Sequence, residues 1–279
     1  MRFLLFLVIA LNLSGCSSLQ QHIDKAESLA EEHGFSRKII PGTKFDILSF
    51  YKINKPSSSV TLFIEGDGKA WINKTRISSN PTPTNPVGLK LALNDPSANI
   101  VYLARPCQYT VNQSNDSCHY RYWTSERTSE EIIVAINDAL LLLKKEFSIQ
   151  TFRLVGYSGG GTIATILAAR RDDVHDLRTV AGNLDIAQFS QTHSVSPLTG
   201  SINPIKYANK LTSIPQIHYT SRYDEIITRD ITNSYINALT KYDPELHCVD
   251  VIETGAPSHN SGWETYWRMQ KHTPIQCSK

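Results

Sequence analysis

Apolar runs of strand length alternate with helical runs along most of the sequence. The strand-like runs are TKFDILSFYKI, VTLFI, ANIVYLA, TFRLVG, LRTVAGN, IPQIHYT and LHCVDVIE, and the helical runs include NPVGLKLALND, SEEIIVAINDALLLLKKEF, GTIATILAARR and ITNSYINALTKY. Repeated strand–helix units with continuously apolar strands indicate a parallel sheet that helices cover on both faces. A chain of 279 residues is long enough to bury such a core. We therefore predict one large α/β domain.

Composition and charge place the chain among ordinary globular proteins. Hydrophobic residues make up 41% of the sequence and charged residues 19%, and the formal net charge is +2. So small a charge does not favour binding to nucleic acid or to an anionic membrane surface. The sequence therefore predicts no nucleic-acid partner. Any attachment to a membrane must come from something other than the net charge of the chain.

The N-terminus predicts export. Arg2 precedes an apolar run from Phe3 to Leu11 and then small residues, which is the pattern of a secretory signal peptide too short to span a bilayer comfortably. The signal ends in LSGC, which resembles the lipobox of bacterial lipoproteins. In that family the cysteine, here Cys16, is acylated and becomes the first residue of the mature chain. An ordinary signal peptide that happens to contain a cysteine is the alternative.

The lipobox interpretation divides the chain into three parts. Residues 1–15 are a lipoprotein signal peptide, residues 16–22 a lipidated tether, and residues 23–279 a single domain. Because Ser17 rather than an aspartate follows Cys16, the resemblance also implies sorting to the outer membrane. The domain is expected to begin with a short amphipathic helix that ends before Gly34.

The remaining cysteines agree with export. Besides Cys16 there are four: Cys107, Cys118, Cys248 and Cys277. An even number in an oxidising compartment predicts two disulfides, with three connectivities possible. Proximity along the chain favours Cys107–Cys118 and leaves Cys248–Cys277. No C-x-x-C or H-x-x-x-H pair supports a metal site, so we expect neither a metal nor a cofactor.

One segment, RLVGYSGGGTIATILAAR, contains the pattern G-x-S-x-G at Gly156–Gly160, between a predicted strand and a predicted helix. In that setting the pattern is a nucleophile elbow, in which a serine lies on a sharp, strained turn from strand to helix. The flanking glycines are needed because side chains there would collide with the neighbouring strand and helix. The N-terminus of the following helix favours negative charge that develops nearby. Ser158 is therefore the predicted nucleophile.

A serine hydroxyl needs a base to remove its proton and an acid to orient that base. After a nucleophile elbow, the acid and then the histidine follow in chain order. His259 lies in the small-residue loop TGAPSHNSGWE directly after the final predicted strand, where the base is expected. His247 falls inside that strand and His272 beyond the last predicted helix, so both are disfavoured.

The acid is expected one strand before the histidine. Asp224 lies in the loop after the strand IPQIHYT and fits that position. Asp185, after the strand LRTVAGN, is the alternative, because some proteins with this elbow take their acid from the preceding strand. Either aspartate has a second interpretation as the cap of a helix or turn. The sequence favours Asp224.

An oxyanion hole needs two backbone N–H groups that point at one position. One is expected from Gly159, the residue after the nucleophile. The other is expected from the loop after VTLFI, where Glu65-Gly66-Asp67-Gly68 takes the place of the histidine-glycine motif of lipases. We predict Asp67 as that donor, with Gly68 as the alternative.

These motifs together resemble the α/β-hydrolases over residues 23–279. The segments ARPCQY, YWTSER, AGNLDIAQF and SPLTGSINP resemble, more narrowly, a group of bacterial exported hydrolases. The resemblance implies an eight-stranded, mostly parallel sheet with helices on both faces, and hydrolysis through an acyl-enzyme. It does not supply a substrate, since this fold hosts many.

Two features predict the surroundings of the serine. Residues 183–211 are too many for a tight turn between strand and helix, so we expect a small cap segment there. Four aromatic residues could line an apolar pocket, but for each of them taken alone ordinary packing is the favoured interpretation: Trp71, Trp123, Tyr157 and Trp263.

The sequence thus favours a serine hydrolase that acts on carboxylic esters. An amidase or peptidase of the same fold is the first alternative. A catalytically silent envelope lipoprotein that acts as a binding module is the second. The expected partners are a small-molecule or acyl substrate and a membrane, reached through the lipid anchor.

The lipobox interpretation makes a direct prediction about the anchor. Replacing Cys16 with serine removes the thiol that would be acylated, so we expect the variant to lose its acyl mass and its retention in membranes. Ser17→Ala, which keeps the thiol, is the control and should retain both. Fractionation and intact mass spectrometry measure the two properties. Membrane retention of the Cys16→Ser variant, with no acyl mass on the native chain, would contradict the interpretation.

Overall fold

The computed structural model describes residues 13–54, 59–110, 117–270, 275 and 277, with side chains from Leu19 onward. In this part of the chain the strands are β1 (Ser36–Ile40), β2 (Ile47–Ile53), β3 (Ser59–Ile64), β4 (Asn99–Leu103), β5 (Thr151–Tyr157), β6 (Val174–Val180), β7 (Gln216–Ser221) and β8 (Val249–Thr254). The α-helices are α1 (Leu13–Glu32), α2 (Val87–Leu93), α3 (Glu130–Phe147), α4 (Gly159–Arg170), α5 (Ile186–Thr192), α6 (Ala208–Leu211), α7 (Arg229–Leu239) and α8 (Trp263–Met269). Short 3₁₀ turns cover Tyr120–Trp123 and Pro204–Tyr207.

The eight described strands form one sheet in the order β1-β2-β4-β3-β5-β6-β7-β8. β2 pairs antiparallel with β1 and with β4, whereas the six strands from β4 to β8 pair in parallel. The parallel strands are buried on both faces, which agrees with their continuously apolar sequences. Their carboxyl ends meet at one edge of the sheet, and the loops that leave that edge carry the candidate site.

Helices cover both faces of the sheet. Apolar side chains of α3, α4 and α6 pack on one face, together with Phe152 and Leu154 of β5. Side chains of α1, α2 and α8 pack on the other face, together with Val155 and Tyr157 of β5. Because successive residues of a strand point to opposite faces, one strand supplies both cores. The predicted architecture of a sheet between two helical layers is confirmed.

The structure corrects several predicted elements. β1, with the sequence SRKII, was not predicted, because its polar residues give it no apolar pattern and it is held by pairing with β2. The strand predicted from Thr43 begins only at Ile47. Ser129 occupies the N-cap position of α3 as expected, but its side chain makes no capping hydrogen bond.

Both predicted disulfides are present. Cys107 is bonded to Cys118, with their Cα atoms 5.6 Å apart, and Cys248 is bonded to Cys277, with theirs 4.2 Å apart. The first bridge closes a loop after β4, and the second joins the residue before β8 to the C-terminal segment. Proximity along the chain was therefore sufficient to select one of the three connectivities.

Most of the residues on which the N-terminal predictions rest lie outside the described part of the chain. Residues 1–12, most of the predicted signal peptide, and the side chain of Cys16 are not among the described groups. Residues 16–22, predicted as a tether, lie within α1. Ile23, Ala26 and Ala30 of that helix are buried, as its amphipathic pattern predicts. Among the described residues no helix combines the length and apolarity needed to cross a membrane.

A polar network lies buried beside β6 and β7. His218 Nδ1 is 2.8 Å from Thr179 Oγ1, and its Nε2 is 3.1 Å from Gln216 Oε1, which also accepts the Tyr235 hydroxyl at 2.7 Å. Burial lowers the pKa of His218 to about 3, because the imidazolium form would lose its hydration there. His218 therefore stays neutral in the folded protein at neutral pH.

This network predicts a specific sensitivity to acid. In the unfolded chain a histidine takes up a proton near pH 6.5, whereas folded His218 does so near pH 3. Between these values the unfolded state binds more protons than the folded state. The free energy of unfolding should therefore decrease as the pH is lowered, by up to about 1.4 kcal/mol per pH unit. Urea unfolding of His218→Gln from pH 7.5 to 4 should show a shallower fall, while exposed His33→Gln keeps the wild-type slope. Equal slopes in all three proteins would overturn this assignment.

Candidate active site

Ser158 lies on a sharp turn between β5 and α4. Its backbone has φ 52° and ψ −121°, a conformation that a residue with a side chain rarely adopts. The surrounding backbone holds it there, since its N–H donates to the carbonyl of Val180 at 3.0 Å and its own carbonyl accepts from Gly161 and Asn183. The turn therefore presents the serine side chain at the carboxyl edge of the sheet, as the elbow motif predicts.

Two glycines of the motif allow this turn. A Cβ on Gly156 would overlap the backbone of Gly160 and Gly161, and a Cβ on Gly160 would overlap the carbonyl oxygens of Ile64 and Glu65. Backbone atoms cannot move aside as a flexible side chain can. The glycines are therefore required by the close approach of α4 to the ends of β3 and β5.

Ser158, His259 and Asp224 form a chain of hydrogen bonds. His259 Nε2 is 3.0 Å from Ser158 Oγ, and His259 Nδ1 is 2.8 Å from Asp224 Oδ2. All three residues are buried. The second carboxylate oxygen of Asp224 accepts the backbone N–H groups of Ile226 and Ile227, each at 2.9 Å. Such a chain can move the serine proton onto the imidazole while the carboxylate orients the ring.

The loop of His259 is held by two aromatic side chains. The Tyr157 hydroxyl and the Trp263 Nε1–H both donate to the carbonyl of His259 at 2.7 Å. The Tyr157 ring also stacks on the imidazole, with centroids 5.3 Å apart. Burial raises the pKa of Tyr157, so its hydroxyl remains a donor. Tyr157 and Trp263 therefore fix the position of the His259 backbone, and Tyr157 also contacts its ring.

The alternative acid, Asp185, has a structural role. One of its carboxylate oxygens accepts the N–H groups of Ala187 and Gln188 and so caps α5. The same oxygen accepts the Asn203 side-chain amide, and the other accepts the Ser234 hydroxyl at 2.6 Å. The carboxylate therefore stabilises a helix end, and the structure brings Asp224 rather than Asp185 to the imidazole.

His247 lies away from the serine. It precedes β8, not within it as predicted, and its Nδ1 is 2.9 Å from Asp243 Oδ1. Hydrogen bonding and the negative charge of Asp243 raise the pKa of this partly exposed imidazole. His272, which was also disfavoured, lies outside the described residues.

The loop after β3 lies against the serine. A Cβ on Gly66 would be 3.2 Å from Ser158 Cβ, and a Cβ on Gly159 would overlap the carboxylate of Asp67. In the described part of the chain neither the Asp67 N–H nor the Gly159 N–H donates to another group. Gly68, the alternative donor, has φ 66° and packs against Pro81 instead. Two unpaired amides thus lie beside the serine, which is what an oxyanion hole requires.

Glu65 replaces the histidine found at this position in lipases, and it organises the loop. Its carboxylate accepts the N–H groups of Gly66, Gly88 and Leu89 at 2.9 to 3.2 Å and the Tyr102 hydroxyl at 3.1 Å. Burial raises its pKa, although these donors act in the opposite direction. The side chain therefore joins the loop after β3 to the start of α2.

Sequence reasoning missed two arginines at this loop. Arg105 and Arg127 each pair with one carboxylate oxygen of Asp67, and Arg105 also donates to the carbonyl of Arg127. Burial opposes ionisation of Asp67, but the two guanidinium groups hold its pKa below its usual value. Both arginines occur in the quoted segments ARPCQY and YWTSER. A charged residue two positions after the end of an apolar strand, as Arg105 is after β4, was the available signal.

The predicted cap segment, residues 183–211, contains α5 and α6. The ring centroid of Phe189 on α5 is 6.0 Å from Arg127 Cζ. His193, at the end of α5, places Nε2 2.7 Å from the carbonyl oxygen of Ile226 in the loop after β7. The segment thus runs between two loops of the site, and its function as a cap stays a prediction.

Of the four aromatic residues considered for a pocket, three belong to the core. Trp123, Tyr157 and Trp263 are buried, and the Trp123 indole donates to the carbonyl of Ser78. Trp71 is exposed on the loop after β3. Within the described ranges no group of histidine, cysteine and acidic side chains has the arrangement of a metal site.

Comparison with solved structures shows the α/β-hydrolase fold. An esterase from Pyrococcus furiosus superposes with a TM-score of 0.59 over 86% of this chain and 91% of its own, at 13% identity. An acylaminoacyl peptidase from Pyrococcus horikoshii superposes with a TM-score of 0.57 over 84% of this chain and 39% of its own, at 14% identity. No protein-family model matches the chain, and no curated protein sequence matches it. The predicted fold class is confirmed, whereas the narrower resemblance to bacterial exported hydrolases stays a prediction.

The close contact at the elbow predicts the effect of a single methyl group. Alanine is favoured over glycine inside a helix by roughly 0.5–1 kcal/mol, so propensity alone would make Gly160→Ala stabilising. Because the added Cβ would overlap two backbone carbonyls, we expect a loss of about 1–3 kcal/mol in the free energy of unfolding. Urea denaturation measures it. A variant as stable as the wild type would show that the contact is not tight.

Proposed function

We propose that this α/β-hydrolase-fold protein is a serine hydrolase that cleaves carboxylic esters through an acyl-enzyme. The observation that supports the proposal most strongly is the hydrogen-bonded chain from Ser158 through His259 to Asp224 at a strained elbow. Strained backbone at a nucleophilic side chain has to be maintained by its surroundings, and it is characteristic of functional sites.

The geometry supports a two-step reaction. His259 Nε2 accepts the proton of Ser158 as Oγ attacks the ester carbonyl, whose oxygen becomes an oxyanion between the Gly159 and Asp67 N–H groups. The imidazolium then gives its proton to the leaving alkoxide, the carbon–oxygen bond breaks, and an acyl-serine remains. Water attacks the acyl-serine with the same histidine as base, releasing the acid and restoring the serine. The Asp224 carboxylate stabilises the imidazolium.

Similarity to an esterase supports esters of small molecules or acyl groups as the substrate class. Similarity to an acylaminoacyl peptidase supports a second candidate, an amidase or peptidase of the same site. Paired assays of an ester and the matching anilide distinguish the two. The catalytically silent alternative lacks support, because a binding module has no physical need for a strained serine in contact with a buried histidine–aspartate pair. We further propose that the enzyme acts in the bacterial envelope, anchored through Cys16.

The triad predicts covalent labelling of one serine. A fluorophosphonate reacts with an activated serine, so we expect labelling at Ser158, located by peptide mass spectrometry. Ser158→Ala should abolish labelling, and His259→Ala should slow it nearly as much because the hydroxyl keeps its proton. Asp224→Asn should lower kcat by about 10⁴-fold, since the imidazole loses its orientation and its counter-charge.

The alternative acid provides the matched control. Asp185→Asn keeps a side-chain oxygen that can cap α5, so it should leave kcat within a few-fold of the wild type. The reverse pattern, with Asp224→Asn active and Asp185→Asn inactive, would move the acid to Asp185. A folded wild-type protein that resists the probe and hydrolyses neither an ester nor an anilide would refute the proposed function.

A further inference from the structure

The peptide group between Gly66 and Asp67 carries the second proposed oxyanion donor, the Asp67 N–H. Neighbouring groups hold the atoms on either side of that N–H. Glu65 accepts the Gly66 N–H at 2.9 Å, and the Gly66 carbonyl accepts a hydrogen bond from Gln108 Nε2 at 2.9 Å. The Asp67 carboxylate is paired with two arginines. Of these groups, Gln108 is the one that contacts the peptide group itself.

Gln108 is itself rigidly held. Its side chain is buried, with 1% of the residue exposed, and its Oε1 accepts the backbone N–H of Arg105 at 3.0 Å. The backbone around it is constrained, because Cys107 and Tyr109 both have positive φ, 71° and 59°, and Cys107 is bridged to Cys118. The Tyr109 N–H donates to Thr82 Oγ1 at 2.7 Å. A buried glutamine with both ends of its amide engaged has little freedom to move.

The geometry of a peptide group links Gln108 to the oxyanion site. The described chain contains no cis peptide bond, so the carbonyl of Gly66 and the N–H of Asp67 lie in one plane and point in opposite directions. Fixing the carbonyl toward Gln108 therefore fixes the N–H away from it. Gly66 packs against Ser158, and the Asp67 N–H has no acceptor in the described part of the chain. Donation to the carbonyl also polarises the peptide and strengthens its N–H as a donor.

We propose that Gln108 is a positioning residue for the oxyanion hole: it orients the Gly66–Asp67 peptide so that the Asp67 N–H faces the oxygen of the tetrahedral intermediate. This inference rests on the proposed serine-hydrolase function. It assigns to the segment closed by the Cys107–Cys118 bridge a function in the reaction, in addition to its contribution to stability. Gln108 does not touch the substrate and acts through the peptide.

The test replaces Gln108 with methionine, which has a similar volume but cannot donate a hydrogen bond. In a serine protease, removing one oxyanion-hole donor lowers kcat by about 10²- to 10³-fold. Misorientation of the donor should therefore lower kcat by about 10- to 100-fold, with KM changed by less than about threefold. Turnover is expressed per active centre titrated with a fluorophosphonate, which separates a slower site from a smaller folded fraction.

Gln216→Met is the matched control, since Gln216 is also a fully buried glutamine with both ends of its amide hydrogen-bonded, and it lies in the core network of His218. It should lose stability without losing turnover per active centre.

Two further readouts distinguish positioning from a structural role. Affinity for a boronic acid, whose tetrahedral adduct with the serine places an oxygen in the oxyanion hole, should fall in parallel with kcat in Gln108→Met. The acidic limb of the pH profile of kcat/KM, which depends on the catalytic histidine, should lie at the same pH in Gln108→Met as in the wild type. Turnover per active centre within twofold of the wild type, with stability reduced as in Gln216→Met, would overturn the inference. A folded wild-type protein that resists the probe and hydrolyses neither an ester nor an anilide would instead refute the proposed function, and this inference with it.

Discussion

Direct backbone contact between α4 and the ends of β3 and β5 determines where the groups of the site lie. Gly160 packs on the carbonyl oxygens of Ile64 and Glu65, a distance that only a residue without Cβ allows. The N-terminus of α4 is thereby brought against the loop after β3, so the Gly159 and Asp67 amides become neighbours. The same contact forces Ser158 into its strained turn. The run of three glycines after the serine is therefore a packing requirement that also assembles the site.

The second constraint is the cost of burying the carboxylates of Glu65 and Asp67. Hydrogen-bond donors or guanidinium groups surround each of them and offset that cost. Glu65 is surrounded by four donors, and Asp67 by two guanidinium groups. Removing one partner of a buried charge leaves the other uncompensated, which is strongly destabilising. Asp67 is thus the partner of both guanidinium groups, whereas Glu65 is held by uncharged donors alone.

The disulfide at Cys107 connects the predicted export of the protein with this arrangement. A bridge across a short loop restricts the backbone on which Arg105 and Gln108 lie, and both side chains contact the loop after β3. Disulfides persist in oxidising compartments, so a bridge at this position is compatible with the predicted export. The second bridge, from Cys248 to Cys277, joins the last strand region to the C-terminal segment.

The sequence by itself determined the layered α/β architecture, the elbow serine and the positions of Asp224 and His259. These follow from local pattern, because apolar periodicity marks the strands and the loops after parallel strands emerge at one edge. It did not reveal β1, whose polar strand is held by pairing with β2. Nor did it reveal Arg105 and Arg127, which reach Asp67 from 38 and 60 residues away. Only the packing of distant segments decides such contacts, and no local pattern encodes them.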